Sequence, residues 1–103
     1  MRELMSNAFI KETEMAERFD VRITVKQVPG KCNQGHFVGE EWVMGKKTPE
    51  GICLSAFNAV FPGARVLSAG GGFSYQTDPD VMQVICPDPK CPVLFELRRI
   101  RPA

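Results

Sequence analysis

The sequence predicts a single α+β domain, in which a small, mainly antiparallel sheet is covered on one face by one buried helix. Three observations predict this class. Apolar and polar residues alternate over 21–26, which is typical of a strand with one buried face. Apolar residues follow a helical period over about 49–61. Two apolar runs, at 81–86 and 92–100, flank a proline-rich turn and indicate a hairpin.

Size and composition fit one domain with one core. The chain has 103 residues, of which 44% are hydrophobic and 24% charged, as in ordinary globular proteins. The net charge of +1 does not indicate a nucleic-acid or membrane partner. No apolar run approaches the ~20 residues that span a bilayer, and residues 1–6 lack the apolar segment of a secretory signal. We therefore expect a cytoplasmic protein without membrane association.

The chain divides into an N-terminal extension, residues 1–19, and a domain, residues 20–103. The extension could form a helix over about 8–19, but it has too few apolar positions to bury a wide face. We expect it to pack lightly or fray. A docking or dimerising arm is the alternative, which leaves a homo-oligomer open.

The first half of the domain reads as strand, turn and strands. The first strand is predicted over 20–28 and ends at Pro29-Gly30. A polar turn follows. Residues 36–44 then resemble two short strands bent at Gly39.

The helix prediction depends on its first and last residues. Thr48 can cap the free N–H groups, and Pro49 suits the first helical position. We expect Pro62-Gly63 to end the helix, with one or two more helical turns possible before Gly70-Gly71-Gly72. The expected buried stripe comprises Ile52, Cys53, Ala56, Phe57, Val60 and Phe61. In the last strand, the residues expected to face the core are Val93, Phe95 and Leu97.

The cysteines and the histidine are the main candidates for a functional site. Four cysteines without an export signal are not expected to form disulfides, because the cytosol keeps thiols reduced. We interpret Cys32, His36, Cys53 and Cys86 as a possible structural metal site, since three Cys and one His form a known zinc set. An iron–sulfur centre is the lesser variant. The spacing lacks tight C-x2-C pairs, so unligated core cysteines remain open.

Two other functions stay open beside metal binding. Cys53 at a helix start, with His36 near it, could be an activated thiol in an enzyme or redox protein. No CxxC pair or nucleophile signature supports that reading. If the cysteines only fill the core, Trp42, Phe73 and Tyr75 could form a surface for a protein or small-molecule partner.

The basic residues do not favour nucleic-acid binding. Arg98 and Arg99 are neighbours on a predicted strand and therefore point to opposite faces. The function predicted from the residues is a small binding or accessory module, with an enzyme as the rival class.

Four motifs occur in order: C-x-x-G-H-x-V-G-E at 32–40, T-P-E-G-I-C at 48–53, D-P-D at 78–80, and C-P-D-P at 86–89 followed by V-x-F-E. Over about residues 21–100 the chain resembles a family of short uncharacterised proteins, largely from anaerobic bacteria and archaea. The resemblance implies that Cys32, His36, Cys53 and Cys86 occupy recurring positions and that the first twenty residues are an addition. Cys91 lies where other members carry other residues. The resemblance implies no activity.

Overall fold

A computed structural model of the chain describes residues 18–102. In these residues the elements are β1 (Asp20–Gln27), β2 (Glu41–Met44), α1 (Leu54–Ser68), β3 (Val81–Ile85) and β4 (Leu94–Ile100). The strands form one antiparallel sheet in the order β2-β1-β4-β3. The predicted α+β class is confirmed. No helix in residues 18–102 has the length and apolar character needed to cross a membrane. The predicted extension lies outside the described residues, apart from Arg18 and Phe19.

The hydrophobic core lies between α1 and one face of the two central strands, β1 and β4. These strands are paired so that Ile23 lies opposite Leu97. The alternation predicted for both strands is confirmed, because every second residue is buried. The fully buried core residues of the two strands and the helix are Val21, Ile23, Val25, Phe95, Leu97, Ala56, Val60, Ala64 and Leu67. Burial of each large side chain contributes roughly 1.5–3 kcal/mol, so this layer is the main stabilising contact.

The helix begins later than the sequence predicts. Its N-cap is Cys53, and its first residue is Leu54 instead of Pro49. The physical reason is Gly51, whose φ of +94° lies in the left-handed region and cannot continue a right-handed helix. Thr48 and Pro49 therefore belong to the turn that leads into α1.

The helix also continues past Pro62, where the sequence predicts its end. Proline lacks an N–H and normally breaks a helix interior. Here the helix runs on to Ser68, because its second half packs closely on the sheet. A Cβ placed on Gly63 would lie 3.2 Å from side-chain atoms of Leu97 and Met82, so only glycine permits this approach without displacing them. The stop at Gly70, with a φ of +89°, agrees with the expected C-terminal glycine.

The segment 36–44 contains one strand and not the two expected. The strand is Glu41–Met44, which pairs with β1, and the backbone of Gly39 and Glu40 adds two hydrogen bonds to Val25 of β1. Residues 37–40 form a turn, in which Glu40 N–H donates to the Phe37 carbonyl at 3.0 Å. Gly39 has a φ of +94°, which suits a turn and not a strand. The hairpin of β3 and β4 is confirmed.

Arg99 is a buried cation that fixes the end of α1 to the sheet. Only 5% of the residue is exposed. Its Nη1 donates to the carbonyls of Leu67 at 3.1 Å and Gly71 at 2.8 Å, and its Nη2 donates to the Pro79 carbonyl at 2.8 Å. Its Nε donates to Asp80 Oδ1 at 3.0 Å. The guanidinium thus joins the last turn of α1 to two carbonyls of the loop between α1 and β3.

Asp80 is shared between two arginines. The hydrogen bond from Arg101 is the main cause that holds the pKa of the Asp80 carboxyl below its usual value, with Arg99 adding to it against the opposing effect of desolvation. The Phe19 ring lies beside the same pair, 5.4 Å from Arg99 Cζ and 5.5 Å from Arg101 Cζ. These contacts attach Phe19, the residue before β1, to the end of β4.

We expect Arg99→Met to lower the free energy of unfolding by about 3–5 kcal/mol, because methionine cannot replace the four hydrogen bonds that the buried guanidinium makes to Asp80 and to three backbone carbonyls. Urea denaturation followed by circular dichroism measures this. The matched control is Arg98→Met, whose side chain is 43% exposed in its pairs with Glu96 and Asp78, and which should cost less than about 1 kcal/mol. Equal losses in the two variants would contradict the role given to Arg99.

Candidate functional site

A single cavity is lined by all four cysteines and by the histidine. Its volume is about 510 Å³, within the ~300–1,000 Å³ range of small-ligand sites. The side chains come from the β1–β2 loop, the start of α1 and the β3–β4 connection. We call this cavity the thiol pocket, defined by Cys32, His36, Cys53, Cys86 and Cys91. The structure therefore places Cys32, His36, Cys53 and Cys86 on the walls of one cavity.

Gly30 allows the β1–β2 loop to approach the β3–β4 connection. Its φ of +148° lies in the region that favours glycine. A Cβ at this position would lie 3.2 Å from the Lys90 carbonyl oxygen and 3.7 Å from Cys91 Sγ. This close approach brings Cys32, two residues further on, to the wall of the pocket. A hydrogen bond from the Gly35 N–H to the Cys32 carbonyl, at 3.0 Å, closes the polar turn after Cys32.

His36 connects the loop to the start of the helix. The Cys53 N–H donates to His36 Nε2 at 3.2 Å, so Nε2 is unprotonated and Nδ1 carries the proton. Nδ1 lies 2.9 Å from Glu40 Oε1, to which it donates. Both ring nitrogens of this buried histidine are therefore engaged. In this geometry His36 positions Cys53, and it could ligate a metal only after giving up one of these bonds.

Cys53 is the N-cap of α1. Its Sγ accepts a hydrogen bond from the Ala56 N–H at 3.4 Å, and its carbonyl accepts one from the Phe57 N–H at 2.9 Å. The sulfur thus replaces the side-chain oxygen that usually caps a helix. It faces the positive end of the helix dipole, where an anionic sulfur would be stabilised.

Cys86 and Cys91 begin and end the connection between β3 and β4. The Cys86 N–H donates to the Val93 carbonyl at 3.0 Å, and the Cys86 thiol donates to the Cys91 carbonyl at 3.5 Å. The turn is stabilised by Asp88, which accepts from the Lys90 N–H at 2.9 Å. Cys91 is only 1% exposed. Burial, followed by the neighbouring Cys32, Asp88 and Cys86, raises the pKa of the Cys91 thiol.

The pocket does not contain a preformed metal-ligand cluster. Within residues 18–102, no three side chains of His, Cys, Asp or Glu form a group that could hold a metal ion. Cys32, Cys53 and Cys86 are partly exposed at the wall of the cavity, and rotation about χ1 would move each sulfur to another staggered position. Binding of zinc at Cys32, His36, Cys53 and Cys86, or of an iron–sulfur centre, stays a prediction.

Of the three aromatic residues expected to form a partner surface, Trp42 lies apart from the other two. Trp42 is on the edge strand β2 and is only 8% exposed. Its ring packs at 5.1 Å, edge to face, against His36. Tyr75 is exposed, contacts Phe73 at 5.8 Å and donates to Met82 Sδ of β3, on the opposite edge of the sheet. Trp42 therefore supports the wall of the thiol pocket and does not join a surface with the other two.

Sequence reasoning missed two residues of the site. Glu40 holds Nδ1 of His36, and its position four residues after the histidine in the 32–40 motif was the available signal. Cys91 lines the same cavity as the other thiols. The Cys91 signal was its place five residues after Cys86 across a proline-rich turn.

We expect Cys91 to be the slowest of the four thiols to react with iodoacetamide, because the thiolate is the nucleophile and burial raises its pKa. The folded state holds this proton more tightly than the unfolded state does. The protonated Cys91 thiol therefore makes its full contribution to the free energy of unfolding below the ordinary thiol pKa of about 8.5. This contribution is lost as the pH rises above that value. Mass spectrometry of peptides after timed alkylation, from neutral pH upward, measures the four rates in one sample. Modification of Cys91 as fast as Cys32 would show that the burial has been misassigned.

Comparison of the chain with protein-family models gives no match, and searches of the curated proteins and of the solved structures give none either. The resemblance carried by the motifs at 32–40, 48–53, 78–80 and 86–89 stays a prediction. The functional argument therefore depends on the geometry of the pocket.

Proposed function

We propose that this chain is a small binding module whose ligand is a thiophilic metal ion, zinc in the first place, held in the thiol pocket. The observation that carries the proposal is the convergence of all four cysteines and the sole histidine on one cavity. These residues come from three connections that are remote in sequence. Soft thiolate and imidazole ligands in this number select zinc over magnesium or calcium.

The ligand set proposed for the ion is Cys32, Cys53 and Cys86 with His36. The three thiols are partly exposed to the cavity, so their sulfurs can turn toward a common point without unfolding the core. His36 would join through Nε2, which requires the Cys53 N–H to exchange this partner for water or another acceptor. Glu40 would then hold Nδ1 and orient the ring, as carboxylates commonly do for metal-bound histidines.

Such an ion would have a structural role. It would connect the β1–β2 loop, the residue before α1 and the β3–β4 connection, of which the first two are joined by the hydrogen bond from the Cys53 N–H to His36. Metal binding would then contribute directly to the free energy of folding. A site closed by four protein ligands leaves no open position for a substrate, which is the reason for proposing a binding module and not a metalloenzyme.

A thiol enzyme using Cys53 is the second candidate. Its support is the N-cap position of the sulfur, which receives the Ala56 N–H. However, Nε2 of His36 accepts a hydrogen bond from the Cys53 backbone N–H and not from the Cys53 thiol. The histidine is thus not arranged as a general base for this sulfur, whereas an activated nucleophile needs such a base or an equivalent.

The metal proposal is tested by titrating the reduced full chain with Zn²⁺ and Cd²⁺ under anaerobic conditions. We expect about one ion per chain, with the ultraviolet charge-transfer absorption of cadmium thiolates and with protection of Cys32, Cys53 and Cys86 from alkylation. Each change of Cys32, Cys53 or Cys86 to Ser should weaken binding by at least about tenfold. Cys53→Ser is informative because serine is itself a good N-cap and should preserve the helix start.

The matched control is Ser55→Ala, which removes a polar side chain from the pocket wall without removing a proposed ligand. It should leave the cadmium absorption unchanged. Binding below about 0.1 ion per chain would discard the metal proposal. Saturating metal binding by each of the three single Cys→Ser variants would place the ion elsewhere. That result would contradict the metal proposal as well.

A further inference from the structure

A second cavity lies further along α1 and shares no lining residue with the thiol pocket. Its volume is about 670 Å³. Its walls come from the residues around the start of β1, the end of β2 with the loop that follows it, and the side of α1 that carries Phe57 and Phe61. We call it the cation pocket, defined by its charged and aromatic lining: Arg18, Lys46, Lys47, Arg65, Asp20, Phe19, Phe57 and Phe61.

The charge of this cavity differs from that of the chain as a whole. Four cations and one carboxylate line it, although the whole chain carries a net charge of only +1. Among the interactions of residues 18–102, none of Arg18, Lys46, Lys47 and Arg65 forms an ion pair. All four are exposed at the rim. Cations that converge on a concave, partly apolar site focus a positive potential there and favour an anion.

The floor of the cavity is aromatic. Phe57 and Phe61 lie one helical turn apart on α1, with ring centroids 5.5 Å apart. Phe61 is 43% exposed, although a phenylalanine would be expected in the core. The sequence predicted burial for Phe61 in the helical stripe, and the structure instead places its ring in the wall of this cavity. An open aromatic face beside cations can stack on a planar ring whose substituent carries negative charge.

We propose that the cation pocket binds a small molecule in which a phosphate group is attached to a planar ring, as in a nucleoside monophosphate. The four cations that line the cavity provide the positive charge for the phosphate, and the Phe57–Phe61 pair stacks on the ring. The cavity volume fits a ligand of this size. This site is independent of metal binding, because no residue lines both cavities.

The test is calorimetric titration of the full chain with adenosine monophosphate at low salt. Adenosine alone and inorganic phosphate alone should each bind at least about tenfold more weakly, because each lacks one half of the recognised chemistry. The double change Lys46→Glu and Lys47→Glu should weaken binding by about tenfold or more, and Phe61→Ala by about fivefold or more. Both changes are at exposed positions, so the fold should persist, which circular dichroism verifies.

The matched control is the double change Lys26→Glu and Lys31→Glu. It alters the net charge by the same amount at exposed positions outside the cavity and should leave binding unchanged. An equal loss in this control, or equal affinity for phosphate and adenosine monophosphate, would show nonspecific charge attraction and would overturn the proposal. Absence of any binding by the full chain would overturn it as well. Neither result would bear on the thiol pocket.

Discussion

Helix α1 is held against the sheet at both ends by polar contacts, and the position of both cavities depends on this. At its start, His36 accepts the Cys53 N–H. At its end, the buried Arg99 donates to the carbonyls of Leu67 and Gly71. Between these points the buried face of the helix packs on β1 and β4. In residues 18–102 one helix covers the sheet. Its N-terminus forms one wall of the thiol pocket, and its side that carries Phe57 and Phe61 forms the floor of the cation pocket.

The thiol pocket joins three connections that have little regular structure of their own. The glycine at 30 permits close contact between two of them, and the imidazole at 36 links the first to the helix. The sulfurs line one space without forming a ready metal cluster in residues 18–102. An ion that drew them together would therefore change side-chain rotamers while the core, which lies between α1 and the central strands, stayed as it is. This is why we assign the proposed ion a structural effect on the loops.

Elements with a strong local pattern could be predicted from the sequence, whereas those decided by tertiary contacts could not. Alternation identified β1 and β4 and their buried residues. The helix boundaries failed because Gly51 adopts a left-handed conformation and because packing at Gly63 carries the helix past Pro62. The burial of Arg99 depends on carbonyls from three distant segments, which no local pattern reveals. Likewise, the cavity shared by the cysteines could be predicted as a hypothesis, but the engagement of both nitrogens of His36 could not.

The most direct test of the central claim is X-ray absorption spectroscopy of the full chain loaded with one equivalent of zinc. Binding in the thiol pocket predicts a first shell dominated by sulfur at about 2.3 Å, with one nitrogen at about 2.0–2.1 Å. Change of any one of Cys32, Cys53 and Cys86 to Ser should remove sulfur from that shell. A shell of oxygen and nitrogen alone at about 2.0–2.2 Å would contradict the account, since it would show that the thiols do not hold the ion.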